Sequence, residues 1–123
     1  MRPPSRRRGS SLPDDCIFCR IASGEAPATV VHRADGFLAI EDIAPKADTH
    51  LLVLPERHLE SFRHVPELPA EEAKRMLDFV AATAEEAGLD EYRLMTFVGP
   101  GAGQTVFHLH WHILGGRFHG MPA

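Results

Sequence analysis

Cysteine is scarce in this chain: Cys16 and Cys19 are the only two among 123 residues. A disulfide framework of the kind that holds small secreted domains is thereby excluded. No apolar run approaches the roughly 20 residues needed to span a bilayer. The basic opening from Met1 to Ser11 has no hydrophobic segment behind it, so it does not read as a signal peptide. Basic charge is thin elsewhere. Formal net charge is −4, from 13 basic and 17 acidic residues. Arg2, Arg6, Arg7 and Arg8 precede the first acid, Asp14, which leaves nine basic residues against 17 acidic ones in the remainder. A nucleic-acid groove needs basic surface to neutralise phosphates, so a polymer partner is not expected. A small nucleotide held by a few local groups remains open. The expected setting is the cytoplasm, with no membrane association.

What is present suits one domain with one real core: 44% of the residues are hydrophobic. Residues 1–13 read as a disordered basic tail and 14–123 as the domain. Asp14 or Asp15 could cap a short helix carrying Ile17, Phe18 and Ile21, ended by Gly24 and Pro27. Thr29 to His32 and Phe37 to Ile40 read as strands joined by the hairpin signal Asp35-Gly36. Glu41 to Asp48 reads as a loop, and His50 to Leu54 as a buried strand that stops at Pro55. The clearest helix runs from Pro69 to Ala87, with Met76, Leu77, Val80 and Ala84 at helical spacing and Gly88 as its stop. Tyr92 to Val98 reads as a strand, Gly99 to Gly103 as a turn, and Gln104 to Leu114 as the last strand. The fold class is α+β: an antiparallel sheet of about five strands, one long helix and a short N-terminal helix.

That last strand organises the chain. From Phe107 to Ile113 it alternates imidazole with apolar side chains. In a strand, His108, His110 and His112 line one face, and Phe107, Leu109, Trp111 and Ile113 the other. Successive rings are about 6.6 Å apart by strand rise, too far to converge three at a time on one ion. Imidazole can act as nucleophile, proton donor or metal ligand near neutral pH. The glycine turn just upstream can present backbone N–H groups to an anion, although a plain hairpin turn explains it as well. Gln104 and Thr105 can add side-chain donors. Cys16 and Cys19 offer two thiolates across one turn; zinc would need two more ligands, and histidine is the obvious supply. A redox pair lacks its usual βαβ setting. His32 and His64 read as surface residues.

Together these motifs resemble the histidine triad (HIT) family. The strand matches the pattern His-φ-His-φ-His-φ-φ, with φ apolar. The resemblance extends from Cys16 to Arg117 through Cys-Ile-Phe-Cys-Arg-Ile, Glu41-Asp42-Ile43-Ala44-Pro45, Thr49-His50-Leu-Leu-Val-Leu-Pro55, His58 and Gly103-Gln104-Thr105-Val106. The ending Gly115-Gly116-Arg117 looks like the Hint branch of nucleoside phosphoramidases. The turn Gly99 to Thr105 is closer to the fragile-histidine-triad branch, which cleaves dinucleoside polyphosphates. The resemblance implies that His110 is the nucleophile, which forms a nucleotidyl-histidine at the α-phosphorus. His112 would protonate the leaving group, and His50 would support both. Gly103, Gln104 and Thr105 would contact phosphate, and Asp42 the ribose. Phe18, Ile21, Ile40, Ile43 and Leu52 would form the base pocket. Cys16, Cys19, His58 and His108 would hold structural zinc; no organic cofactor is expected. The expected substrate is a purine nucleotide of the AMP or GMP type, and the expected assembly a homodimer. The alternatives are a dinucleoside polyphosphate hydrolase or a non-catalytic nucleotide-binding or adaptor module. Two departures stand out. Phe97 occupies the place of an asparagine usual in Hint proteins, and their tryptophan near the C-terminus has no counterpart in Phe118 to Ala123.

Overall fold

The computed structural model describes residues 15–122; the basic tail expected over 1–13 lies outside them. The short helix α1 (Ile17–Ala22) comes first. Its N-cap is Cys16, whose sulfur accepts the N–H of Cys19, rather than Asp14 or Asp15. Strands β1 (Val30–Ala34) and β2 (Phe37–Glu41) form a hairpin. Asp35 and Gly36 turn it with φ of 56° and 88°, left-handed values that Asp tolerates and Gly prefers. β3 (Ala47–Pro55) follows, then a 3-10 turn (Phe62–Glu67) and the long helix α2 (Ala70–Glu86). β4 (Tyr92–Met95) and β5 (Trp111–Phe118) complete an antiparallel sheet of order β1-β2-β3-β5-β4.

The α+β class, the five strands and the single long helix agree with the sequence reading. Several boundaries shift: β1 runs on to Ala34, and β3 begins at Ala47, inside the expected loop. β4 is shorter than Tyr92 to Val98, and the histidine segment enters the sheet only at Trp111. Residues 104–110 take no part in the sheet; among them, Val106 packs against the Cys16 and Phe18 cluster and Leu109 N–H reaches the carbonyl of Leu59.

Register explains the two faces. Ala39, Val53 and Trp111 sit side by side across β2, β3 and β5, as do Leu51 and Ile113. With Leu109 they pack under α2 against Met76, Phe79, Val80 and Ala84. The opposite face carries Leu38, Ile40, Leu52 and Leu54, covered by Cys16 and Phe18 of the α1 region. His112 lies opposite Leu52 and His50 opposite Leu114, so the two histidines are diagonal neighbours on this second face. The predicted alternation therefore holds at Leu109, Trp111 and Ile113. It fails at Phe107, which is exposed because the chain has not yet entered the sheet.

Candidate active site and metal centre

His108, His110 and His112 are all buried, together with His50. The hydrogen bonds assign their tautomers. His110 Nδ1 lies 2.8 Å from the carbonyl oxygen of His108. A carbonyl only accepts, so Nδ1 carries the proton and the Nε2 lone pair is free. The Lys46 backbone N–H donates to His50 Nδ1 at 3.0 Å, which puts the His50 proton on Nε2. That Nε2 lies 3.0 Å from His112 Nδ1 and 3.4 Å from Asp42 Oδ2. His112 therefore accepts at Nδ1 and carries its proton on Nε2. Among the described residues, His112 Nε2 and Trp111 Nε1 are the buried side-chain nitrogens with no hydrogen-bond partner. Trp111 points to the α2 side; His112 presents an unused N–H on the histidine face.

Burial favours the neutral rings. It lowers the pKa of His110, with the neighbouring His108 adding to the effect and the carbonyl bond opposing it. Burial, then His110 and His50, bring His112 down to about 4. His50 is lowered by burial, against the pull of Asp42. The site thus holds a neutral nucleophile and a neutral N–H donor at pH 7. Asp42 is divided: Oδ1 accepts the Ala44 N–H at 2.7 Å, while Oδ2 faces His50.

A second cluster lies against the first. Cys16 Sγ, Cys19 Sγ and His58 Nδ1 stand 3.2, 3.5 and 3.2 Å from His108 Nδ1. His58 Nδ1 is 3.4 Å from Cys19 Sγ. His108 Nε2 donates to the Pro55 carbonyl at 2.7 Å, which leaves the Nδ1 lone pair pointing inward. The four donor atoms lie within 4.8 Å of one another. Tetrahedral zinc with two sulfur and two nitrogen ligands separates its ligands by roughly 3.3–3.8 Å, so the residues fit a metal of that kind. Burial pushes the Cys16 thiol up, but its contacts with the His108 and His58 rings outweigh it and bring it down to about 5. Burial and the Cys16 charge push Cys19 up to about 12.

Other expected site residues fall as follows. Phe18 is buried with its ring edge-on to His110, at 5.0 Å between centroids. Ile40 and Leu52 are buried in the same layer, and Ile21 packs at its margin. Ile43 is 99% exposed beside Asp42, Pro27 and Ala28 at an open depression. Thr105 is exposed, and Gly103 ends the 3-10 turn at φ 106°. Gln104 departs from the expectation. Its Oε1 accepts the Gly99 N–H at 2.8 Å, and its Nε2 donates to the carbonyls of Glu60 and Val106 at 2.6 and 3.0 Å. Its amide braces the glycine turn and has no donor left for a phosphate. His64 lies beside Glu60 and Glu67. His32 stacks on Phe79 at 4.6 Å, more buried than a free surface residue. Sequence reasoning missed the Lys46 N–H and the Pro55 carbonyl, which are backbone groups and leave no side-chain signal. It also missed the contact of Phe97 with His112, at 5.3 Å between centroids.

A five-stranded sheet that brings His50 of β3 and His112 of β5 together with His110, beside a Cys16-Cys19-His58-His108 cluster fit for a metal, defines a histidine triad protein. The HIT domain family matches residues 23–119, and the chain belongs to that family. Protein HitA of Neisseria gonorrhoeae is 42% identical over 104 residues, 83% of this chain and 96% of that protein. The purine nucleoside phosphoramidase of Escherichia coli is 34% identical over 108 residues, 86% of this chain and 91% of that protein. The solved structure of a HIT family hydrolase from Legionella pneumophila superimposes with a TM-score of 0.78 at 43% identity, covering 87% of this chain and 97% of that one.

Proposed function

We propose that this protein is a nucleotidyl hydrolase that cleaves the α-phosphate bond of purine nucleoside phosphoramidates through a nucleotidyl-His110 intermediate. The observation that supports it most is the pairing of tautomers: a free lone pair on His110 Nε2 beside an unused N–H on His112 Nε2. In the first half-reaction His110 Nε2 attacks the α-phosphorus. The bond from phosphorus to the departing nitrogen breaks, its electron pair stays on that nitrogen, and the nitrogen takes the His112 Nε2 proton, the His50–His112 pair having first taken up one proton from solvent with the anionic substrate. In the second, water attacks phosphorus and returns its proton to the His50–His112 pair. The bond to His110 then breaks, with its electrons returning to Nε2. Asp42 and the Lys46 N–H hold His50 throughout. The Thr105 hydroxyl is the fixed donor for phosphate oxygens, since the N–H groups of Gly99, Ala102, Gly103 and Gln104 are spent within the turn.

In the same reading Cys16, Cys19, His58 and His108 bind structural zinc, which when bound ties the α1 cap to the histidine segment. Asp42 takes the ribose hydroxyls, and Phe18, Ile21, Ile40, Ile43 and Leu52 line the base site. The protein acts in the cytoplasm as a homodimer. No helix among the described residues is long and apolar enough to cross a membrane. The test is turnover of adenosine 5′-phosphoramidate, with acid-free trapping of the protein adduct and mapping by mass spectrometry. AMP release with an adenylyl group on His110 is expected. Binding of AMP without turnover or adduct would leave a nucleotide-binding module instead.

A further inference from the structure

Phe97 follows β4, whose Met95 pairs with His112 across the sheet. Its ring is tilted 44° to the His112 imidazole, with centroids 5.3 Å apart. His50 occupies the Nδ1 edge of that imidazole, and His110 lies 5.0 Å away, centroid to centroid. Phe97 also reaches the glycine turn: a Cβ built on Gly103 would stand 4.0 Å from its Cγ and Cδ2. One phenyl ring therefore bridges the His112 imidazole and the glycine turn. It is half-buried, so part of the ring stays open. It offers no hydrogen bond and no charge.

We propose that Phe97 determines specificity for the leaving group: it forms an aromatic wall that accepts uncharged, flat or apolar amines and disfavours anionic polyphosphates. This rests on the reading above that His112 faces the departing group. An aromatic amine gains stacking and apolar burial against the ring. A diphosphate leaving group would give up its water to meet the ring's negative face instead. The groups around it offer little compensation. His50 and His112 are held neutral by burial, Asp42 is an acid, and Lys46, whose charge reaches His50, donates its backbone N–H to that ring. His112 Nε2 is buried without a hydrogen-bond partner and Phe97 packs on the same imidazole, so a group that reaches this N–H docks beside Phe97.

The test compares two substrates that share the adenylyl half, an AMP amide of an arylalkylamine and diadenosine triphosphate, on the full-length protein. We expect wild type to prefer the amide in kcat/KM by at least about a hundredfold, and Phe97→Asn to narrow that preference by about tenfold or more. AMP affinity should be unchanged in the variant. Phe97→Leu, which keeps an apolar wall without a π face, should still reject the triphosphate but lose the preference for aryl over alkyl amines. An unchanged substrate ratio in folded Phe97→Asn overturns the proposal. Should that variant fail to fold, an unchanged aryl-to-alkyl ratio in Phe97→Leu does so. Wild type that forms the His110 adduct yet prefers the triphosphate also overturns it, while leaving the nucleotidyl-His110 mechanism standing. If wild type forms no adduct from either substrate, both readings fall together.

Discussion

The carbonyl oxygen of His108 lies 2.8 Å from Nδ1 of His110. The same residue turns its own ring into the thiol cluster, with Nδ1 3.2 Å from Cys16 Sγ. One histidine thus joins the metal-type site to the nucleophile: its side chain belongs to the first, and its backbone sets the tautomer of the second. Cys16 adds another link, because it caps α1, and α1 carries the Phe18 ring that packs on His110.

The first prediction concerns that cluster. Protein purified under reducing conditions should carry about one zinc per chain, given the four-ligand set. Chelation should lower the melting temperature, since the cluster holds α1 to the histidine segment. Activity per folded molecule should fall less. Cys16→Ser should lower both zinc content and stability. Metal analysis that finds no zinc after zinc has been supplied would remove the assignment.

His110→Ala should remove the nucleophile while leaving Leu109, Trp111 and Ile113 in the core under α2. Turnover should fall by roughly three orders of magnitude or more, because covalent catalysis and positioning are lost together. AMP affinity should change far less. His112→Ala should hurt poor leaving groups most, since a good one leaves without a proton. Single-turnover rates on an unactivated phosphoramidate and an activated nucleotidyl ester separate the two variants. Near-normal turnover by His110→Ala would refute the mechanism.

Much of this was legible in the sequence because period and punctuation survive without contacts. The alternation at Leu109, Trp111 and Ile113, the hairpin at Asp35-Gly36 and the stop at Gly88 each encode a local backbone preference. Cys16, Cys19, His58 and His108 were grouped through family resemblance, and the structure brings them together. What stayed hidden was tertiary. Gln104 has the composition of a phosphate contact, but nothing local says that its amide is consumed by Gly99, Glu60 and Val106. Residues 104–110 alternate like a strand, yet they have no strand to pair with before Trp111.

A dimer is the next expectation. β4 is the last strand of the sheet, with one edge free among the described residues. Tyr92 and Leu94 on it are 40% and 45% exposed, and Leu77 on α2 is 49% exposed. Pairing β4 with its copy would cover an open edge and these side chains at once. Sedimentation should show a dimer at micromolar concentration. Leu94→Lys should shift it toward monomer; a wild-type monomer would exclude this assembly.

Stability should depend on pH through the buried histidines. An unfolded histidine takes up its proton near pH 6.5. In the fold, burial and the neighbouring His110 and His50 bring His112 down to about 4, and His50 is lowered as well. Between these values the unfolded chain binds more protons than the native one, so stability rises with pH across the window. The sign is set by depressed basic groups: as pH falls from about 6.5 toward about 4, stability is lost. Each fully depressed histidine can contribute a slope of up to about 1.4 kcal/mol per pH unit. Carboxylates titrate in the lower part of the same range, so the wild-type curve alone cannot assign the slope. His112→Phe removes one titrating ring and places an apolar one beside Phe97, preserving the packing of that face. Urea denaturation of both proteins from about pH 4 to about pH 7 should give a shallower dependence for His112→Phe, with the curves diverging most above pH 5. Parallel curves would mean that His112 is protonated in the native state at the same pH as in the unfolded one. The neutral N–H donor assigned to it would then be wrong.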